Sequence, residues 1–99
     1  MAVDLLIAPE AERDIAEAYI WYEGRRYGLG EEFLTSVDAC LESIRRGPEI
    51  YPVVYESYRR SLIRRFPYAV FYEQSGTTVT IYAVFHTSRN PDKWRQRLS

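Results

Sequence analysis

One cysteine, one histidine and one lysine stand among the 99 residues of this chain. The lone thiol, Cys40, excludes an intramolecular disulfide and a cysteine-based zinc site. Hydrophobic runs are short. The longest, Val79–Phe85, is broken by Thr80, so no segment can span a membrane. The first residues, Met1-Ala2-Val3-Asp4, lack the basic stretch of a secretory signal. Glycine is scarce, and Gly28-Leu29-Gly30 lacks the strand–loop–helix setting and the following Lys-Ser/Thr of a phosphate-binding loop. No repeat, linker or low-complexity tract is visible. These absences leave a small cytoplasmic globular protein, expected to form one domain over residues 1–99.

What is present is a core, an asymmetry of charge and many aromatics. At 46% apolar residues, the chain can bury roughly 60–65% of its unfolded surface. The net charge of −1 conceals a division. Residues 1–57 hold 12 acids and 5 bases, whereas residues 58–99 hold 2 acids and 8 bases. Twelve of the 13 basic residues are arginine, the residue suited to planar, bidentate contact with phosphate or carboxylate. High-GC codon usage produces the same excess without a functional cause.

The pattern along the chain predicts an α+β fold. Val3–Ile7 has strand length and fits a sheet edge. Pro9 opens a helix, with Glu10, Glu12 and Asp14 at the positive end of its dipole. Ile15, Ala18, Tyr19 and Tyr22 give that helix one apolar stripe. A second helix, Gly30–Arg46, carries Phe33, Val37, Cys40, Leu41 and Ile44, and stops at Gly47-Pro48. The two form an antiparallel hairpin. Residues 47–57 read as a loop. Tyr58–Arg65, Tyr68–Gln74 and Thr77–His86 read as a three-strand antiparallel meander, turned at Phe66-Pro67 and Ser75-Gly76. The helix hairpin packs on this small, mainly antiparallel sheet. Asp92–Leu98 after Pro91 is a short basic tail or helix. Strict alternation along the strands places Val79, Ile81, Ala83 and Phe85 against the helices. It leaves Ala69, Phe71, Thr80, Tyr82, Val84 and His86 on an open face with Arg60, Leu62 and Arg64.

His86 is the only imidazole and the natural general acid or base. With Arg60, Arg64 and Arg89 it would suit metal-free phosphodiester cleavage through a 2′-hydroxyl; a lone histidine at a strand end is equally a structural residue. Glu10, Asp14 and Glu17 read as a solvated helix face rather than metal ligands, and no metal or cofactor is expected. Cys40 lies on an apolar stripe as a buried thiol. Tyr51, Tyr55 and Tyr58 fit an interface, and Trp21, off the first helix's main stripe, fits an exposed anchor.

The segments Ala11–Tyr22 (AERDIAEAYIWY), Leu29-Gly30-Glu31-Glu32-Phe33, Arg64–Tyr72 (RRFPYAVFY) and Val84–Trp94 (VFHTSRNPDKW), with Arg97, run in one order along nearly the whole chain. In that arrangement the sequence resembles the RelE/ParE superfamily of type II toxins, also described as plasmid stabilisation proteins. The resemblance implies two branches of activity. RelE-like members are ribosome-dependent nucleases that cut mRNA. ParE-like members poison DNA gyrase. The nuclease branch commonly has an arginine after the aromatic that opens the middle meander strand, where this chain has Ala69, and some members have a catalytic tyrosine near the place of Trp94. Losing one aimed cation typically costs on the order of a hundredfold in rate, so the ParE-like branch is favoured. The resemblance implies target contact through Arg60, Arg64, Arg65, Tyr82, His86, Arg89 and Trp94. It further implies a cognate antitoxin, a small DNA-binding protein with a flexible C-terminal segment. Trp21, Tyr55, Tyr58 and Arg60 are its expected contacts, and DNA gyrase, or alternatively the ribosome and mRNA, is the target.

Overall fold

The computed structural model describes residues 3–99. Strand β1 (Asp4–Ile7) leads into helix α1 (Pro9–Arg25), then helix α2 (Leu29–Arg46). A single 3-10 turn (Pro48–Ile50) precedes strands β2 (Val53–Tyr55), β3 (Tyr58–Leu62), β4 (Tyr68–Ser75) and β5 (Thr78–His86), and helix α3 (Pro91–Leu98) follows. The sheet order is β1-β5-β4-β3-β2, with β1 parallel to β5 and every other pair antiparallel.

Local chemistry sets the helix ends. Pro9 stands in the first turn of α1, with Glu10 and Glu12 beside it; its missing N–H removes a donor that the helix would have left unpaired. Gly28 takes a left-handed conformation, φ 86°, at the start of α2, which a residue without Cβ adopts freely. The carboxylate that caps α2 comes from the other helix. Glu23 accepts the backbone N–H of Gly28 through Oε2 and of Gly30 through Oε1, both at 2.9 Å. Asn90 caps α3 by accepting the N–H of Asp92 at 2.9 Å.

Two cores lie on the two faces of the sheet. Under α1 and α2 pack Ala18, Tyr22, Phe33, Val37, Ile44, Val70, Tyr72, Val79, Ile81 and Val84. The stripes expected for the helices point here. The opposite face holds Ala69, Phe71, Ala83 and Phe85, and α3 closes over them with Trp94 and Leu98. This corrects the expectation of an open, basic face. α3 covers that face, and one extra residue in β5 changes which side chains line it. The hairpin turns at Gly76-Thr77 (Ser75 pairs with Thr78), and the register then slips between Phe71 and Tyr72, leaving Tyr82 as an extra residue in β5. That bulge reverses the alternation beyond it. Ala83 and Phe85 go to the α3 face, and Val84 and His86 go to the α1 face.

The expected loop at 47–57 contains the 3-10 turn and β2. Arg59 holds it by donating from Nη1 to the carbonyls of Glu49 (3.1 Å) and Tyr51 (2.6 Å), and the Tyr72 hydroxyl donates to the Pro48 carbonyl at 2.6 Å. β3 ends at Leu62, three residues earlier than its composition indicates. Arg65 bends the chain through φ 73°, and Phe66 drops into the helix-side core.

Candidate functional site

Asp14, Glu17, Ala18 and Trp21 follow at i, i+3, i+4 and i+7 on one side of α1. They face the end of β5. The geometry arises because β1 stops at Ile7, paired with Ile81, so the outer edge of β5 beyond Ile81 has no neighbouring strand. Asp14 closes that edge, its Oδ2 accepting the backbone N–H of Val84 at 3.0 Å. The same carboxylate takes both terminal nitrogens of Arg97, at 2.9 and 3.2 Å. Asp14, expected on a solvated face, therefore joins α1, β5 and α3.

A cleft of about 490 Å³ lies between α1 and the β5 end, lined by Glu17, Trp21, Tyr22, Tyr68, His86 and Arg89 among others. The Trp21 side of the cleft is half exposed (53%), its ring edge-on to Tyr22 at 5.0 Å and covered by the Arg25 guanidinium at 4.3 Å. His86 sits edge-on to Tyr68, 5.2 Å between centroids. Its Nδ1 accepts the Ser88 backbone N–H at 3.1 Å and lies 2.7 Å from Ser88 Oγ. An acceptor at Nδ1 leaves the neutral ring's proton on Nε2. The Arg89 guanidinium rests on the Phe85 ring at 4.6 Å. Tyr68 is pushed above the ordinary phenol value by burial, against the opposing field of Arg89.

Arg60, Arg64 and Arg65 lie elsewhere. They line a groove of about 760 Å³ between α2 and the outer part of β3, floored by small residues such as Ser36, Ala39 and Cys40. Arg65 is engaged by Glu32 at 3.0 Å, and Arg26 holds the same carboxylate at 3.1 Å. Register separates these arginines from His86 further. Arg60 pairs with Phe71 and alternates with Ser61, which receives the Cys40 thiol at 3.4 Å under α2. Arg60 thus leaves β3 on the Phe71 side of the strand while still bordering the α2–β3 groove. His86 pairs with Tyr68, on the α1 side.

The aromatics expected at contact surfaces divide as well. Trp94 is buried, 8% exposed, and stacks on Phe71 with centroids 4.9 Å apart, so α3 packing removes it from the surface. Tyr58 meets Tyr82 edge-on at 5.6 Å and stacks on Tyr55, which closes the rim of the α3 core. Trp21 alone of the expected antitoxin contacts faces the α1 cleft.

The cleft therefore combines an aromatic wall, two nitrogen donors at one end and the Glu17 carboxylate. It can hold an anion beside an apolar group. Among the described residues no group of three His, Cys, Asp or Glu side chains could hold a metal ion, and no helix is long and apolar enough to cross a membrane.

Comparison with known proteins places this architecture. Residues 5–91 match the family described as the ParE toxin of the type II toxin-antitoxin system parDE. Toxin ParE2 of Mycobacterium tuberculosis is 27% identical over 89 residues, covering 89% of this chain and 85% of the relative. Among solved structures, the chromosomal ParDE toxin-antitoxin system from P. aeruginosa aligns with TM-score 0.65 at 16% identity, covering 88% of this chain and 98% of the other. The RelBE2 toxin-antitoxin complex of M. tuberculosis aligns with TM-score 0.61 at 19% identity, over 90% and 95%. At those identities the two structures share the fold.

Proposed function

This chain belongs to the family of ParE toxins of type II toxin-antitoxin systems, and from that premise we propose that it acts by poisoning DNA gyrase and is neutralised by a cognate antitoxin. One observation carries the choice of an inhibitor over a nuclease: Arg60 and Arg64 line the α2–β3 groove, whereas His86 lines the α1 cleft. Metal-free cleavage of a phosphodiester needs a base, an acid and cations converging on one phosphate, each within hydrogen-bond reach. With two of the three expected arginines in another groove, the side chains expected around the imidazole do not share one pocket. Ala69 adds to the argument, because it is buried beside Phe71 where an arginine would be needed. Glu17 lines the same cleft, and its carboxylate opposes the repeated phosphates of an RNA backbone, Asp14 being neutralised by Arg97.

The antitoxin is a small DNA-binding protein whose flexible C-terminal segment orders on the toxin. The test is a supercoiling assay with purified gyrase and this chain. The expected result is loss of supercoiling with accumulation of cleaved DNA, both reversed by the antitoxin. Unimpaired supercoiling at excess toxin, together with cut ribosome-bound message, overturns the reading in favour of mRNA cleavage.

A further inference from the structure

We propose that the cleft between α1 and the end of β5 is the seat of one anchor of the antitoxin: an apolar side chain between Trp21 and Tyr68, with a neighbouring carboxylate on Arg89 and His86. The proposal rests on the reading that an antitoxin exists, and it assigns that partner a place and a chemistry.

Two donors in the cleft lack an acidic partner among the described residues. Arg89 has no carboxylate within 4.0 Å among the described residues, although Asp14 and Glu17 line the same cleft. Asp14 is occupied by Arg97 and the Val84 N–H. His86 has committed Nδ1 to Ser88, so its Nε2–H is the free donor. Both residues line the cleft and both are exposed, and each is a donor suited to a carboxylate.

The walls define the rest of the ligand. Ala18, Tyr22 and Val84 are buried and supply an apolar floor, while Trp21 stands half exposed beside it. A large amphipathic aromatic at the rim of an apolar pocket is the usual form of an interface anchor. Glu17 selects against a polyanion: a phosphate chain would pass it unfavourably, whereas a peptide bearing a single acid would not. The α2–β3 groove also holds arginines, but its Arg65 is engaged by Glu32 and no tryptophan lines it.

The experiment measures affinity of the purified antitoxin for the full-length chain and its variants by titration calorimetry. Arg89→Glu and Trp21→Ala are each expected to weaken binding at least tenfold, while Arg46→Glu, on the outer face of α2, changes it less than twofold. Exchanging the contacting antitoxin carboxylate for lysine is expected to restore affinity for Arg89→Glu. Trp21 emission is expected to shift to shorter wavelength on binding, a shift absent in Trp21→Phe. Folding of each variant is checked by its thermal midpoint. Tight binding that survives both Arg89→Glu and Trp21→Ala overturns the proposed seat and leaves the antitoxin reading intact. Absence of binding by the unmodified chain overturns that reading itself.

Discussion

Arg97 closes on Asp14 across 83 residues of sequence, with two nitrogens on two carboxylate oxygens. The pair is largely shielded, with side-chain exposures of 26% and 10%, and the guanidinium also lies over the Phe85 ring at 4.7 Å. It fixes α3 over the second core, and it lies partly beyond the residues that match the family.

The two halves of this pair are unequal. Asp14→Ala leaves Arg97 without its partner and the Val84 N–H without its acceptor. It is expected to destabilise the fold by about 2–4 kcal/mol. Arg97→Ala leaves the Val84 bond in place and should cost about 1–2 kcal/mol. Urea unfolding of both variants measures the difference; equal losses would contradict the role given to Val84.

Gly30 is a point of close approach between α2 and side chains of α1. A Cβ there would lie 2.7 and 2.8 Å from the Tyr19 ring and 2.9 Å from Glu23 Oε1. That oxygen is the one accepting the Gly30 N–H, so a methyl group displaces the cap as well as the ring. Gly30→Ala should cost about 1–3 kcal/mol despite alanine's higher helix propensity. A thermal midpoint equal to or above that of the parent chain would refute the close approach.

Glu32 is held below the ordinary carboxylate value, chiefly by Arg26, with Arg65 adding to it. A depressed folded pKa contributes stability that is present above the unfolded value and lost as pH falls through the folded one. The stability gap between the parent chain and Glu32→Gln should therefore be open at pH 7 and close as pH drops below about 4. It should also shrink in 1 M salt, because the pair is exposed to solvent. Denaturation curves at several pH values test both trends, and a gap that widens on acidification has the wrong sign.

Burial pushes the Cys40 thiol above its ordinary value, and the hydrogen bond with Ser61 only partly offsets this. The thiolate is the reactive form. Cys40 should react with an aromatic disulfide reagent at pH 8 at a rate that follows global unfolding, rising with urea. Rapid reaction of the native chain would show that the α2–β3 groove opens to the thiol.

Sequence pattern reveals the helices because their signals are local. The stripes Phe33–Val37–Cys40–Ile44 and Ala18–Tyr22, and the stop at Gly47-Pro48, each act within a few residues. β2 escapes notice because it is three residues long and depends on Arg59 and the β3 backbone for its shape. The second core escapes for a different reason. Strict alternation assumes a regular strand, and the bulge at Tyr82 is set by tertiary packing. A signal was nonetheless present: Tyr82-Ala83-Val84-Phe85 has no polar member, as befits a strand covered on both faces. That break in alternation also moved His86 away from Arg60, so the expected cluster of four cationic side chains divides between two grooves. Asp14 was unreadable as a clasp because Arg97 and Val84 are distant along the chain. The cleft drew on three segments that each looked ordinary alone.

The parallel pairing of β1 with β5 has a temporal consequence. Asp4–Ile7 is synthesised before the helix hairpin, yet among the described residues its strand partner is Thr78–Ile81, and the α3 cover follows later still. The chain leaves the ribosome with its helix hairpin able to form from neighbouring residues, while its sheet waits for a contact spanning about three-quarters of its length. Such long-range closure is slow relative to helix formation. During that interval Phe71 and Phe85 lack their α3 cover, and the polypeptide is both unfinished and adhesive. The two faces of β4 and β5 are therefore covered at different times, the helix hairpin first and α3 last.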